Sequence, residues 1–374
     1  MRRLEIVTSK IFNRGSIILL FIVLFQVPNL VMAENLTVMT RNLYLGAEIQ
    51  SLAAAQTPGE FIEGVQAALE QIATNNFPER AVALAAEIKH KKPHLVGLQE
   101  VYNFTYNGEN YEPPFRDYLN DLLDALEDQG ASYYVAATVK NLDLSLPIGG
   151  ILVGVIDRDV ILAREDVETE VVDLIGLCPD DRQSMDGCNY GVVAEVEDTP
   201  AGDISFQRGY VGVDTPYGLF FNTHLEVRYP DPFNPLSPLI QRAQAMELHL
   251  VLDALEMLYP STGPTIVAGD INSSPDDVDI IGGLYSPYMQ FELAEYVDVW
   301  TLRPGKSKKG YTCCYDEDLS KPADLYERID MVFSNVEPKR VKANVVGNDE
   351  KDQTPSGLWP SDHAGVVTKL KYRK

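Results

Sequence analysis

The feature that most restricts how this chain can fold is a recurrent one: short apolar runs that end on, or begin from, a polar residue. Leu95–Leu98 leads to Glu100, Leu219–Phe221 to His224, and Ile266–Ala268 to Asp270 and Asn272. Asp330 and the pair Asp362–His363 stand instead at or before the start of their runs. Leu36–Asn42 reads as one more strand, entering a polar turn at Asn42. Runs of this length are strands rather than helices. In antiparallel sheets the exit of one strand lies beside the start of its neighbour, so all these polar ends can share one rim.

Longer amphipathic stretches lie between the runs. Residues 57–74 and 78–91 place apolar side chains at helical spacing, the second through Ala81, Leu84, Ala85 and Ile88, with Pro93 as its stop. Helices are also predicted over 115–128 and 238–258, and a strand over Tyr133–Val139. Tyr210–His224, folded about Thr-Pro-Tyr-Gly, reads as a hairpin. Gly and Pro are spread evenly and no repeat is visible, which predicts one domain. Hairpins mixed with helices favour an α/β sandwich of two mostly antiparallel sheets flanked by helices over a doubly wound parallel sheet.

The chain opens with Arg2, Arg3, Lys10 and Arg14, an apolar run from Ile17 to Phe25, and Val31-Met32-Ala33. These are the basic, apolar and cleavage regions of a signal peptide, which predicts a secreted or periplasmic protein with a mature chain of residues 34–374. An uncleaved anchor is the weaker reading, because the run falls short of the ~20 apolar residues a spanning helix needs. No later stretch is as apolar, so no transmembrane span is expected in the mature chain.

The formal charge is −24, and the first 33 residues hold four basic groups and one acid, so the mature chain is near −27. Gripping duplex nucleic acid requires clustered Lys and Arg, and here they are scattered. No strong nucleic-acid grip is expected, although a basic rim on an acidic body would still admit a nuclease. The four cysteines, Cys178, Cys188, Cys313 and Cys314, permit three disulfide connectivities between which sequence does not choose. None of their spacings is that of a structural zinc site.

The chemistry of the rim is that of phosphoester hydrolysis. Glu100, Asp362 and Asn42 are hard oxygen donors of the kind Mg²⁺ or Mn²⁺ takes, with remaining positions left to water and phosphate. His224 and His363 can donate to a phosphoryl group or pass a proton to a leaving oxygen. Asp330 can hold one of those rings as a cation, Asp270 can polarise a water, and Asn272 can orient it. A phosphate ester is already anionic, so neutralising charge and placing water matter more than a strong nucleophile. The motifs of zinc and serine peptidases are missing. Each residue taken alone has a plainer reading: Asp or Asn after a strand is usually a turn residue, and a His within an apolar strand is usually structural. His90, His94 and His249 fit that plainer reading, and Asp276-Asp277 and Asp316-Glu317-Asp318 read as solvated loops.

Together, Thr40-Arg-Asn42-Leu-Tyr-Leu-Gly, Gly97-Leu-Gln-Glu100-Val, Asn222-Thr-His224-Leu-Glu, Gly269-Asp270-Ile-Asn272, Arg328-Ile-Asp330 and Ser361-Asp362-His363 resemble, in order, the motifs of the endonuclease/exonuclease/phosphatase superfamily. The resemblance runs from residue 36 to 370 and implies a four-layered α/β sandwich that hydrolyses phosphoesters with a divalent metal. It implies Glu100 as chief metal ligand, Asn42 and Asp362 on metal and phosphate, and Asp330 orienting His363. Asp270 and Asn272 then position water and phosphate, and His224 is the second imidazole. An acid partner for His224 is not located, since Glu226 is close to it in sequence. The segment from His224 through 230–238 to Gln241, Arg242 and Gln244 resembles bacterial sphingomyelinases, but a membrane-inserting tryptophan pair is missing, Trp300 and Trp359 being far apart. The core motifs do not name the substrate. A phosphodiesterase is the leading expectation, with extracellular nuclease, sphingomyelinase-type phospholipase C and a catalytically idle binding domain as alternatives.

Overall fold

The computed structural model describes residues 35–373 except 50, 51, 53, 108, 111–116, 149, 201, 229–234, 259–262, 306–308 and 321–324. The leader assigned to residues 1–33 lies outside the described residues, as does most of the Pro-rich loop at 230–238.

Two sheets of eight strands each carry the fold among the described residues. In the first, β1 (Leu36–Asn42) runs parallel to β2 (Leu95–Gln99), placing Asn42 opposite Gln99. The short strand β3 (Asn103–Tyr106) and the long hairpin of β4 (Tyr133–Ile148) and β5 (Ile151–Arg164) extend the sheet on one side. The second sheet contains the hairpin of β6 (Gly209–Thr215) and β7 (Gly218–His224), then β8 (Thr265–Asp270) and β9 (Asp330–Ser334). The pair β10 (Arg340–Val346) and β11 (Gly365–Lys371) closes the other side of the first sheet against β1. Most pairings are antiparallel; β1–β2 and β7–β8 are parallel.

β4 runs nine residues beyond the strand predicted at Tyr133–Val139. The extension, Lys140-Asn-Leu-Asp-Leu-Ser-Leu, alternates apolar and polar residues, which is the pattern of a strand with one face on a core and one on water.

Helices form where sequence placed them. α1 (Pro58–Thr74) starts in a capping box, with Thr57 accepting from the Glu60 amide and Glu60 answering the Thr57 amide. α2 (Phe77–Lys91) ends with Lys89, His90 and Lys91 against its dipole, followed by Lys92 at φ 51°. α3 (Tyr118–Asp128) is capped by the Asp117 side chain, and α4 (Ser237–Leu258) connects β7 to β8. Aliphatic residues of β1, β2 and β5 pack outward on α1–α3, inward-facing ones such as Val38, Ile161, Val213 and Ile266 fill the space between the sheets, and Phe221, Val267 and Phe333 pack on α4. The result is helix, sheet, sheet, helix, the expected four layers.

One polar bridge crosses the middle layer. Asn222 Nδ2 donates to the Leu98 and Val160 carbonyls at 2.8 and 3.1 Å, and its Oδ1 accepts from Gln99 Nε2 at 2.6 Å. Gly97 makes room for it, since a Cβ there would lie 2.6 Å from Asn222 Oδ1. A fully satisfied buried network of this kind fixes the offset of one sheet on the other at the end where the polar residues gather.

Candidate active site

Register brings the second-sheet residues into line. The parallel pairing of β7 and β8 sets His224 opposite Asp270, and the antiparallel pairing of β8 and β9 sets Asp270 opposite Asp330. Asn42 and Glu100 come from the adjoining ends of β1 and β2, and Asp362 and His363 from the approach to β11. Glu100 and Asn272 turn out of their strands at φ 56° and 49°, the left-handed geometry that strained site residues adopt. All eight residues read from the sequence meet in one place. Asn42, His224, Asp270, Asp330 and His363 are buried, while Glu100, Asn272 and Asp362 are half-buried at the mouth.

Two imidazoles flank one carboxyl: Asp270 Oδ2 lies 3.6 Å from His224 Nε2 and 3.7 Å from His363 Nδ1. His363 Nδ1 is closer still to Asp330 Oδ2, at 2.9 Å. Burial opposes charge on His363, but Asp330, Asp270 and Asp362 together outweigh it and raise its pKa well above the usual histidine value. It is therefore an imidazolium with Asp330 as counter-ion. Its backbone is tied as well, because Arg41 Nη1 donates to the His363 carbonyl while Arg41 Nε and Nη2 hold Glu87 at 3.1 and 3.2 Å.

His224 is the opposite case. Burial first, then Arg208 and His363, depress its pKa well below the usual value, so it is neutral. Arg208 Nη1 sits 3.0 Å from its Nδ1. Guanidinium can only donate, so Nδ1 is the acceptor and the proton of the neutral ring falls on Nε2, which lies 3.2 Å from the Asn272 side-chain amide and 3.6 Å from Asp270 Oδ2. Behind Arg208 stands Glu226, with 3.9 Å between Nε and Oε2. The acid missing from the sequence reading thus reaches His224 through an arginine.

Arg208 and two further acids, Asp157 and Asp159, were not picked out from the sequence. Burial, and then the proximity of Glu100, push Asp157 up to about 7, against the pull of Arg208. Asp159 is raised by burial and by Asp157. Both lie inside β5 where the strand pattern alternates Ile-Asp-Arg-Asp-Val, and that buried-looking alternation of acids was the available signal.

Asp270 is pushed up to about 7 by burial and by Asp330, with His363 pulling the other way. Burial and Glu100 take Asp362 up to about 6, opposed by His363 and Arg80. Such crowding of carboxyl groups, more than one imidazolium balances, with a buried Asp330 Oδ1 that has no hydrogen-bond partner among the described residues, fits a divalent cation. Glu100 is positioned for it, with Oε1 accepting from Asn42 Nδ2 at 3.0 Å and Oε2 from the Leu45 amide at 2.8 Å. Asn42 lies between these groups. Its Nδ2 donates to Glu100 and, at 3.2 Å, to Asp270, and its Oδ1 accepts from the Tyr44 amide, so a donor faces the carboxylates.

A model of the endonuclease/exonuclease/phosphatase family matches residues 73–363. The chain belongs to that family. Its members are metal-dependent phosphoester hydrolases of nuclease and phosphatase type, usually using Mg²⁺. Similar solved structures include a family protein from Beutenbergia cavernae, 21% identical over 91% of this chain and 72% of that one, TM-score 0.49. A family protein from Leptotrichia buccalis is 15% identical over 90% of this chain and 100% of that one, TM-score 0.49. TDP2 of Caenorhabditis elegans, in truncated form, is 14% identical over 90% of this chain and 98% of that one, TM-score 0.47. No curated protein matches the sequence.

Several neighbouring features differ from their sequence reading. Asp277 is not a solvated loop residue: it is buried, accepts from Ser273 Oγ at 3.1 Å and the Ser274 amide at 2.8 Å, and is paired with Arg228. Gln241 Nε2 holds the Asn272 carbonyl at 2.6 Å and Gln244 Oε1 the Glu226 amide at 2.8 Å, so this face of α4 supports the site from behind. Trp300 and Trp359 are both buried, Trp359 stacking on Tyr315. Cys178 pairs with Cys188 and Cys313 with Cys314, one of the three connectivities left open. Cys314 Sγ lies 4.0 Å from His363 Nε2, at the wall of the site. His94 accepts from the Thr37 amide, His249 is buried and His90 is exposed, so none of the three joins the site.

Proposed function

We propose that this chain is a secreted or periplasmic phosphodiesterase that cleaves a P–O ester bond by direct attack of water. The observation that carries it is the carboxyl of Asp270 held between a neutral and a charged imidazole.

Each residue takes one part. Asp270, with a pKa brought to about 7, accepts the proton of the attacking water while Asn272 orients it. The Nε2 proton of His224 and the imidazolium of His363 donate to the phosphoryl oxygens, where charge grows in the transition state. Asp330 keeps His363 protonated and aimed, and Asn42 fixes Glu100 and Asp270 in relation to each other. Glu100 and Asp362 are the residues to hold Mg²⁺ or Mn²⁺, which supplies Lewis-acid neutralisation of phosphate charge when bound. The oxygen of water ends on phosphorus with one of its protons on Asp270, and the ester oxygen leaves as an alcohol with a proton from the His363 imidazolium, the two groups returning to their starting states by exchange with solvent.

A net charge of −24 and the lack of clustered basic residues favour a small or uncharged leaving group over a polynucleotide. The basic and apolar leader supports export, and the Cys178–Cys188 bridge fits an oxidising compartment. Among the described residues no helix is long and apolar enough to cross a membrane.

The test is hydrolysis of bis-p-nitrophenyl phosphate and of plasmid DNA, with Mg²⁺ or with EDTA, beside Glu100→Gln and His363→Ala. Metal-dependent turnover of the diester that both substitutions abolish is the expected result. Turnover that survives EDTA or either substitution overturns the assignment of roles.

A further inference from the structure

The segment that carries the adjacent cysteines is fixed against the catalytic residues by its backbone. The Cys313 amide donates to the Glu327 carbonyl at 3.0 Å, and the Tyr326 amide to the Cys313 carbonyl at 2.7 Å. On its other side, the Ala364 amide donates to the Thr312 carbonyl at 2.7 Å and the Tyr315 amide to the Asp362 carbonyl at 2.6 Å. The Thr312 hydroxyl accepts from the Asp330 amide at 3.2 Å. Cys313 and Cys314 are thus held between the approaches to β9 and β11 by bonds that do not involve their sulfurs.

The sulfurs lie beside the catalytic histidine. Cys314 Sγ is 4.0 Å from His363 Nε2, and both Sγ atoms and a ring nitrogen of His363 lie within 4.8 Å of one another. His363 Nδ1 is taken by Asp330 at 2.9 Å, which leaves Nε2 as the nitrogen toward the sulfurs. A metal-bound imidazole characteristically gives its other N–H to a carboxylate, and Asp330 already fills that place. Tetrahedral bonds of about 2.3 Å to sulfur and about 2.0 Å to nitrogen set S···N at about 3.6 Å, a few tenths of an ångström inside the observed distance. Cys314 is only half-buried, which gives a cation access from solvent. Spacing along the chain conceals the set, because the third ligand stands 49 residues after the second.

We propose that Cys313, Cys314 and His363 form a metal site distinct from that of Glu100 and Asp362, which binds a soft divalent cation such as Zn²⁺ or Cd²⁺ when the cysteine pair is in its thiol state. Two thiolates and an imidazole suit such a cation and not Mg²⁺. In the disulfide neither sulfur is a thiolate, and the site is closed. Opening it takes a dithiol as reductant: the pair gains two electrons and two protons, and the dithiol becomes a disulfide. The cation then displaces both thiol protons and the Nε2 proton to solvent. The consequence for catalysis rests on the phosphodiesterase reading above. With Nε2 on a metal, His363 has no proton for the phosphoryl group or the leaving oxygen, so the thiol state makes turnover sensitive to Zn²⁺.

The experiment titrates the full chain with Cd²⁺ in excess Mg²⁺, before and after treatment with dithiothreitol that is then removed without air, and reads thiolate-to-cadmium charge-transfer absorbance. The Cys313→Ser/Cys314→Ser variant, which keeps Cys178 and Cys188, is the baseline. After reduction the unmodified chain is expected to bind one Cd²⁺ more than this variant, and before reduction none. Asp330→Asn, which keeps all four cysteines, should weaken that binding about 10- to 100-fold, and it supplies the readout if the serine variant does not fold. Turnover of bis-p-nitrophenyl phosphate in excess Mg²⁺ should be lost on adding one equivalent of Zn²⁺ to the reduced chain and kept in the oxidised one. No Cd²⁺ above the serine baseline, or an affinity that Asp330→Asn does not change, overturns the metal site. Binding as expected with turnover untouched by Zn²⁺ supports the metal site and overturns the part given to His363 in the phosphodiesterase reading.

Discussion

Arg41 offers a way to separate what stabilises the fold from what positions the catalytic histidine. It is fully buried, pairs with a nearly buried Glu87 at 3.1 and 3.2 Å, and donates to the His363 carbonyl. Burial raises the pKa of Glu87, and Arg41 is the main force opposing that rise. Arg41→Met therefore leaves a buried carboxyl without its cation, which costs about 3–5 kcal/mol. A domain of this length has an unfolding entropy near 0.7 kcal/mol/K by the usual per-residue scaling, so Tm should fall about 4–7 °C. In Arg41→Met/Glu87→Met both charges are gone, and replacing a buried pair by apolar groups of like volume is about neutral. The double variant should melt near the unmodified protein yet keep the catalytic defect, since nothing then ties the His363 carbonyl. Calorimetric Tm and kcat on bis-p-nitrophenyl phosphate, taken for all three proteins, check this. A single variant that melts within a degree of the parent refutes the buried-pair reasoning; full activity in the double variant refutes the tether.

Three further outcomes are expected. Gly97→Ala should drive its Cβ into Asn222, break the bridge between the sheets and cost about 1–3 kcal/mol, read as a lower denaturation midpoint together with lower kcat. His249 packs at 4.4 Å on Phe291, its ring nitrogens have no partner among the described residues, and burial takes its pKa from 6.5 to about 4. The unfolded chain binds the proton first, so stability is full above pH 6.5, falls as pH drops to about 4, and the loss reaches about 3 kcal/mol; denaturation midpoints of His249→Leu should lack that slope, and an unchanged slope sinks the argument. Arg208→Met should release His224 to the other tautomer and reduce kcat about 100- to 1,000-fold, the usual loss for one transition-state donor. Nitrogen NMR of the His224 ring checks that the proton leaves Nε2, and a proton that stays there counts against Arg208 as the cause.

The local chemistry of the site was legible because it is written at strand ends. Asn42, Glu100, His224, Asp270, Asn272, Asp330, Asp362 and His363 each adjoin an apolar run, and period-two and helical spacing are local signals that survive without knowledge of neighbours. The same holds for the helices, whose caps at Thr57 and Asp117 lie within a few residues of what they cap. Strand β4 continues past the predicted Tyr133–Val139 to Ile148, and the alternation of Leu142, Leu144 and Leu146 with polar residues is the local signal of that continuation.

Pairwise relations across the fold were decided only in three dimensions. Arg208 stands 16 residues from His224 and carries no motif, yet a hairpin register sets it on Nδ1 and so fixes the ring's tautomer. Arg41 and His363 lie 322 residues apart, and only closure of β1 against β11 brings them together. Which acid carries a proton was likewise not a property of sequence: Asp270 and Asp330 face each other across one strand pairing, and burial with that neighbour raises the first. The sequence by itself determined which residue types stand at the ends of which elements, since that is a matter of periodicity along the chain. The tertiary structure decided their charges, tautomers and partners, because these depend on desolvation and on Coulomb and hydrogen-bond distances of a few ångströms between segments far apart in the chain.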